Sequence, residues 1–166
     1  MNRKIIIIVS SLAILTIAIA YVITTMLASP AKMYVDPAII AKAKGQDFTV
    51  DIGISYVVDL YAWKFKLTWD KTILDAINVT EGPFLSDKGD TFFYPTINNT
   101  AGYVFLTCTL LGNVSGVSGN GALATIRFHV KENGSCSLNL TNTQLLNPLE
   151  GQINHQTTNG SFNTTP

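Results

Sequence analysis

Few side chains in this 166-residue sequence are suited to catalysis. The two histidines, His129 and His155, stand apart from each other and have no ligand-spaced or nucleophile-spaced partner in the sequence. The glutamates Glu81, Glu132 and Glu150 fall at predicted turns, whereas glycoside hydrolysis needs two carboxyl groups facing each other across a cleft. The sequence therefore predicts no catalytic residues, and we expect a protein that is not an enzyme.

One loop has carboxylates close enough together to consider a metal ion. The segment SDKGD carries Asp87 and Asp90. A calcium site needs about six to eight oxygen ligands, and this loop lacks the spacing of an EF-hand. The sequence therefore predicts no metal site and no cofactor.

Glycosylation is the modification that the sequence favours. Seven asparagines begin an N-x-S/T sequon without proline: Asn78, Asn98, Asn113, Asn133, Asn139, Asn159 and Asn163. Such sequons are used only in exported proteins and at exposed positions. They predict a glycosylated domain outside the cytoplasm.

The N-terminal residues 1–31 belong to a different physical regime from the rest of the chain. Arg3 and Lys4 precede an uncharged stretch from Ile5 to Ala28. A helix of that length, at about 1.5 Å per residue, exceeds the roughly 30 Å hydrocarbon core of a bilayer. Because the positive charges come first, the N-terminus is predicted to stay in the cytoplasm and the remainder to be exported. We interpret residues 5–28 as a hydrophobic signal-anchor helix in the membrane, with cleavage near Ala31 and secretion as the alternative.

The exported part is long enough for one domain, which we assign to residues 32–163 with a short tail at 164–166. From Lys32 onward the chain has 9 basic and 11 acidic residues, a net charge of about −2, with no basic cluster. Nucleic acid is therefore not expected as a partner. The predicted location is the extracellular face of the cell membrane.

The segment LYAWKFKLTWD, residues 60–70, has the clearest structural pattern. Its large side chains occupy every second position: Tyr61, Trp63, Phe65, Leu67 and Trp69. A strand places such residues on one face and the intervening Lys64 and Lys66 on the other. The pattern predicts a half-buried strand with its aromatic residues in a core and both lysines exposed.

Turn signals divide the rest of the exported part into short strands, as is typical of an all-β sandwich. With the segment above, nine strands are predicted; the others are KMYVDP, DFTVDIGIS, TILDAINVTEG, TFFYPTI, YVFLTCTLLG, ALATIRFHVKE, CSLNL and GSF. TFFYPTI is predicted to be an edge strand because Pro95 has no N–H to donate. PAIIAKAK, residues 37–44, is interpreted as a loop or a single turn, and His129 as a solvated strand residue.

Four of these segments, in this order, resemble the cohesin domain, the β-sandwich module that binds dockerin domains in cellulosome scaffolds. They are AWKFKLTWD, ILDAINVTEG, GNGALATIRFHVK and GSCSLNLTNTQLLN, within a match from about Tyr34 to Phe162. The resemblance implies a nine-stranded jelly roll in two sheets, related to carbohydrate-binding folds. One sheet would hold the strand at residues 60–70 together with residues 91–97, 103–110 and 136–141.

The two cysteines, Cys108 and Cys136, fall on inward-facing positions of their predicted strands. An oxidising compartment favours a disulfide between them. The strand order that the resemblance implies separates their strands by two ladder spacings, about 9.6 Å, whereas a disulfide joins Cα atoms no more than about 7 Å apart. The sequence therefore leaves two alternatives, a disulfide bridge or two buried free thiols.

The resemblance implies that a partner docks on the outer face of the sheet that holds residues 60–70. The outward positions predicted for this face are Lys64, Lys66, Thr68, Tyr103, Phe105, Thr107 and Thr109, with Asn139 and Thr141 beside them. Aromatic residues next to lysines are typical of interface hot spots. We therefore expect a non-catalytic binding module that takes a dockerin-bearing or other surface protein, or a polysaccharide. The alternative is a surface-layer or adhesion subunit that keeps this fold without a dockerin partner.

Overall fold

The computed structural model describes residues 29–165, which form eleven β-strands and one short helix. In chain order they are β1 (Ala31–Asp36), β2 (Ile39–Lys42), β3 (Asp47–Leu60), β4 (Ala62–Thr68), β5 (Leu74–Glu81), α1 (Pro83–Ser86), β6 (Thr91–Asn98), β7 (Tyr103–Leu110), β8 (Val117–Val130), β9 (Ser135–Leu146), β10 (His155–Thr158) and β11 (Gly160–Thr164). The predicted hydrophobic helix over residues 5–28 lies outside the described residues. Within the described range, no helix has the length and hydropathy needed to cross a bilayer.

The strands form two sheets that pack face to face. The five-stranded sheet has the order β10-β1-β3-β8-β5, and the six-stranded sheet has the order β2-β11-β9-β4-β7-β6. The six-stranded sheet brings together the four segments that were expected to share a sheet. The all-β sandwich is therefore confirmed.

The prediction of nine strands is wrong for the described residues, because both ends of the domain switch sheets. β1 pairs with β3 in one sheet, and β2, which follows two residues later, pairs with β11 in the other. β10 and β11 switch in the same way on either side of Asn159. The segment predicted as a loop at residues 37–44 therefore contains strand β2. No strand was predicted at the position of β10. Each of these two strands has only four residues, too few for a clear alternation.

Alternation along the strands places the core between the sheets. In β3, Phe48, Val50, Ile52 and Ile54 are all buried, as predicted. Phe48 stacks on Phe128 of β8 and on Phe162 of β11, with ring centroids 5.5 and 5.2 Å apart, so one ring cluster joins both sheets. Burial of aromatic side chains of this size contributes a few kcal/mol each.

Strand β4 confirms the pattern that the sequence shows most clearly. Trp63, Phe65 and Leu67 are buried, and Trp69, just after the strand, is buried too. The Trp69 indole Nε1 donates a hydrogen bond to the Leu74 carbonyl at 2.8 Å, so its one polar atom is satisfied inside the core. Lys64 faces solvent, as expected.

Strand β6 is an edge strand, as predicted, because it pairs only with β7 at one end of the six-stranded sheet. Pro95 lies near its middle and is exposed. A proline at this position removes a donor from the free edge and discourages pairing with another chain. The other edge of this sheet is the four-residue strand β2.

The two cysteines are free thiols that lie far apart, so the disulfide alternative is wrong for this fold. As the resemblance implied, β4 lies between their strands. Trp63 of β4 is opposite Cys108 on one side and Leu145 on the other. Because Leu145 is nine positions from Cys136 along β9, the thiols are separated by about 30 Å along the strand direction.

Candidate functional site

The outer face of the six-stranded sheet brings the predicted site residues together. The antiparallel register places Lys64 opposite Thr107, Lys66 opposite Phe105, and Thr68 opposite Tyr103. Thr109 lies opposite Ala62 in the same pair of strands. The seven predicted residues therefore form one continuous surface across β4 and β7, which we call the outer face.

The outer face is only partly covered at its centre. Tyr103, Phe105, Thr107 and Thr109 are all half-buried, because neighbouring side chains of the same face pack beside them. Phe105 sits between Lys66 of β4 and Thr96 of β6. An aromatic ring in this position offers apolar area to a partner.

The expected full exposure of Lys66 is wrong. Its Nζ lies 4.0 Å from the centroid of the Tyr103 ring, and Lys66 is half-buried. This is a cation–π contact, typically about 0.5–1 kcal/mol at an exposed site. The Thr141 hydroxyl also donates to the Lys66 carbonyl at 3.2 Å. Lys66 and Tyr103 are therefore held in place before any partner arrives.

Two exposed aromatic residues on β6 extend the outer face, and the sequence reasoning missed them as site residues. Phe92 and Tyr94 are 55% and 56% exposed and stack with ring centroids 6.4 Å apart and 5° between their planes. They lie opposite Thr109 and Thr107 of β7. The alternation in TFFYPTI could have identified them, because it places Phe92 and Tyr94 on the side of the strand that faces away from the core.

The outer face is positively charged and has no acidic group. Among the described residues, the outward positions of β4, β6, β7 and β9 include two lysines and no carboxylate. The charged pairs of β3 and β8 lie on the opposite sheet, where Asp47 contacts Arg127 at 2.8 Å and His129 at 2.6 Å. A carboxylate of a partner would therefore meet no like charge on the outer face.

Two predicted sequons border one end of the outer face. Asn139 of β9 lies opposite Thr68, and Asn98 of β6 lies opposite Tyr103, so both belong to one row across the sheet. Both asparagines are half-buried. The other five sequon asparagines are exposed: Asn78, Asn113, Asn133, Asn159 and Asn163.

Groups that could serve catalysis or metal binding are dispersed. The sequence suggested that His129 stands alone, but in the structure it pairs with Asp47. The hydrogen bond from His129, and after it the one from Arg127, hold the pKa of Asp47 below its usual value. Asp87 and Asp90 lie in the turn after α1. Within residues 29–165, no group of three or more His, Cys, Asp or Glu residues is arranged to hold a metal ion.

Cys108 occupies a buried position beside a carboxylate. Burial, and then the charge of Glu81, raise the pKa of the Cys108 thiol, which donates a hydrogen bond to Glu81 Oε1 at 3.3 Å. Burial also raises the pKa of Cys136, which is only partly covered. Both thiols are therefore poor nucleophiles near neutral pH.

We expect iodoacetamide at pH 8 to leave Cys108 unmodified in the folded chain, to modify Cys136 slowly, and to modify both in urea. The reason is that the thiolate reacts, and a buried thiol with a raised pKa rarely ionises. Peptide mass spectrometry after timed labelling measures this. Labelling of Cys108 at the same rate in the folded and the urea-unfolded chain would contradict its burial.

Comparisons with known proteins identify a family and several structures that are similar to this sandwich. A model of the cohesin domain matches residues 38–164 of the sequence. The structure is similar to a non-cellulosomal cohesin from the hyperthermophilic archaeon Archaeoglobus fulgidus, with 17% identity over 83% of this chain and 93% of that chain and a TM-score of 0.70. No curated protein matches the sequence.

Two further similar structures were solved as complexes. One is the third cohesin ScaC from Acetivibrio cellulolyticus with the ScaB dockerin, at 19% identity over 82% of this chain and 99% of that chain and a TM-score of 0.69. The other is the OlpA cohesin with Doc918 from Clostridium thermocellum, at 10% identity over 82% of this chain and 100% of that chain and a TM-score of 0.70. Identities this low describe a shared fold.

Proposed function

Because this chain belongs to the cohesin domain family, we propose that it is a non-catalytic protein-binding module whose partner docks on the outer face. The observation that carries the proposal is the composition of that face: exposed aromatic rings beside two lysines, with no carboxylate among the outward positions of β4, β6, β7 and β9. Interfaces concentrate their binding energy in aromatic and cationic residues of this kind.

The partner is a dockerin-type module or another surface protein with carboxylates around an apolar centre. Cohesins of similar fold form complexes with dockerins in Acetivibrio cellulolyticus and Clostridium thermocellum. On this chain, Phe105 and Tyr94 supply the apolar area, and Lys64 supplies an exposed positive charge next to them. A partner that places a carboxylate near Lys64 gains a charge contact and, since the face is free of acids, meets no repulsion.

Glycans at Asn98 and Asn139 would keep a partner off the row of Thr68 and favour docking on the rest of the outer face. Phe92 is six positions before Asn98 on β6, about 20 Å along the strand. Sugars at both asparagines would occupy the row that contains Thr68 and Tyr103. The row of Lys66 with Phe105 and the row of Lys64 with Tyr94 would stay accessible, so we expect the partner there.

The module is displayed outside the cell and is held at the membrane by residues 5–28. The uncharged stretch and the preceding Arg3 and Lys4 support this topology. Secretion after cleavage near Ala31 is the alternative. The exposed sequons support glycosylation in that location.

The test measures the binding of the source organism's own dockerin-bearing proteins to the immobilised chain. Phe105→Asp and Tyr94→Asp should each weaken binding by roughly tenfold or more, since they introduce a charge into an apolar centre. Thr49→Asp is the matched control, because Thr49 is an exposed outward residue of β3 on the opposite sheet. It should leave binding unchanged.

The result that would overturn the proposal is binding that ignores both substitutions on the outer face. If no dockerin-bearing protein binds at all, the dockerin role fails and the surface-layer or adhesion role gains. Asn139→Gln, expressed in a glycosylating host, separates the effect of the sugar from that of the face. We expect it to leave binding unchanged or improved, because it frees the row at Thr68.

A further inference from the structure

One end of the sandwich, which we call the proximal end, receives the chain from residue 29. Lys32 pairs with Ser55 in the antiparallel β1–β3 ladder, so the residues of β3 after Ser55 extend toward the side from which the chain arrives. The loops after β7 and β9 lie at the same end, because Ala62 at the start of β4 is opposite both Thr109 and Leu146.

The proximal end carries half of the large exposed apolar side chains of the described residues. They are Tyr56 (59% exposed), Val58 (70%), Leu111 (49%), Val114 (41%) and Leu149 (90%). Tyr56 and Val58 lie near the end of β3, and the other three lie in the segments after β7 and β9. Large apolar side chains exposed on several segments at one end are unusual for a surface that faces only water. The opposite end, in contrast, carries charged contacts such as Lys44 Nζ to Glu132 at 2.6 Å.

Side-chain hydrogen bonds fix the backbone near the end of β3. Tyr56 has a left-handed backbone (φ 55°), and its N–H donates to Asn120 Oδ1 at 2.8 Å. Asp59 is also left-handed (φ 60°), and its carboxylate accepts a hydrogen bond from the Gly116 N–H at 3.0 Å. Left-handed backbone at a non-glycine residue is strained and persists only where the surroundings determine it. The exposure of Tyr56 and Val58 is therefore built into the fold.

We propose that the proximal end rests in the headgroup region of a lipid bilayer, with these five side chains at the membrane interface. The inference rests on the membrane anchor of the proposed function. Only Ser29 and Pro30 separate the uncharged stretch that ends at Ala28 from β1. Two extended residues reach about 7 Å, and the headgroup layer on one side of a bilayer is roughly 5–7 Å thick. The anchor therefore holds this end within reach of the lipid headgroups.

The residue types fit a zwitterionic surface. Tyrosine favours the membrane–water interface, and Lys32 can extend its ammonium toward phosphate groups. The segments at this end also carry Asp59, Asp87, Lys88, Asp90 and Glu150. Their net negative charge means that attraction to anionic lipids does not drive the contact, which depends on apolar burial close to the anchor.

Two tyrosines offer a matched test. Tyr56 at the proximal end is 59% exposed and Tyr94 on the outer face is 56% exposed. The full chain carrying Tyr56→Trp or Tyr94→Trp is reconstituted in phosphatidylcholine nanodiscs that contain doxyl-labelled lipid, with the wild-type chain giving the background of the two buried tryptophans. Fluorescence of the tryptophan at 56 should fall at least about twofold, as expected of an aromatic side chain at the interface. Fluorescence of the tryptophan at 94 should match the unlabelled discs.

The remaining outcomes separate this inference from the anchor. If the chain resists alkaline extraction from the discs but neither tryptophan is quenched, the anchor stands and the contact is refuted. If the chain is not retained by the discs, the anchor fails and the contact fails with it. Equal quenching at both positions would also refute a contact confined to the proximal end. Asn113 lies between Leu111 and Val114, so the membrane contact requires that this one of the seven predicted sequons stay unmodified. A glycan found at Asn113 by peptide mapping would refute the contact.

Discussion

Replacing Phe65 with alanine is expected to lower the free energy of unfolding by about 3–5 kcal/mol. The ring is fully buried in β4, stacks on Trp63 with centroids 5.4 Å apart, and lies on the strand position opposite Leu106. Alanine would remove this apolar area and leave a cavity between two sheets that cannot close around it, because the flanking strands are fixed by their ladders. Urea unfolding of the chain, followed by tryptophan fluorescence, measures the change.

Lys64→Ala is the control for this substitution. Lys64 is the neighbour of Phe65 in the same strand but points to solvent. Its replacement should change the free energy of unfolding by no more than about 0.5 kcal/mol. Comparable losses at the two positions would mean that the faces of β4 are assigned incorrectly, and the outer face would lose its basis.

Gly102→Ala is expected to lower the free energy of unfolding by about 2–4 kcal/mol, because it combines an unfavourable backbone conformation with a steric clash. Gly102 sits in the turn between β6 and β7 with a left-handed backbone, φ 71°. A Cβ there would lie 2.6 Å from the Trp69 carbonyl oxygen. The same turn accepts a hydrogen bond from the Trp69 N–H to the Gly102 carbonyl at 3.0 Å, so the backbone cannot move away without losing it.

Gly45→Ala separates the two penalties. Gly45 is also left-handed (φ 84°), but a Cβ at this position would meet nothing within 4 Å. Its replacement should cost only about 1 kcal/mol, the penalty for the backbone conformation alone. Both variants are compared by thermal or urea unfolding. Equal losses would show that the turn at Gly102 relaxes and that the close approach to Trp69 is not a constraint.

The interpretation of the outer face depended on two kinds of information. Alternation in residues 60–70 and 103–110 placed the side chains on the correct face of each strand, because successive residues of a strand point to opposite sides. It did not specify which strands lie side by side. The resemblance to cohesins supplied that order, and the structure confirms it through the ladder of β9, β4, β7 and β6.

Contacts between residues distant in sequence were not accessible in this way. Asp47 and His129 are 82 positions apart, and nothing in either segment indicates that they pair. Lys66 was predicted to be exposed because it alternates with core residues along its strand. It does point away from the core, but the ring of Tyr103 on the next strand covers it. Such contacts depend on register, which the pattern of a single strand does not contain.

The sequence by itself determined the strands whose alternation is long, the inward and outward sides of each, and the edge position of β6 through Pro95. The turn after β4 is also local: the Asp70 carboxylate accepts the Thr72 N–H at 2.8 Å, a contact typical of aspartate in turns. These features are local, since they follow from side-chain direction and backbone chemistry within a few residues.

Only the tertiary structure decided the rest. The switch of β1–β2 and β10–β11 between sheets depends in part on neighbours that are more than 100 positions away, as in the pairings of Ile39 with Ser161 and of Ala31 with His155. The register that aligns Phe92 and Tyr94 with Thr109 and Thr107 makes one surface from separate segments. The gathering of Tyr56, Leu111 and Leu149 at one end likewise follows from how the loops meet. Each of these depends on long-range packing between the sheets, and a one-dimensional pattern carries no information about which distant segments will satisfy one another's backbone hydrogen bonds and apolar surface.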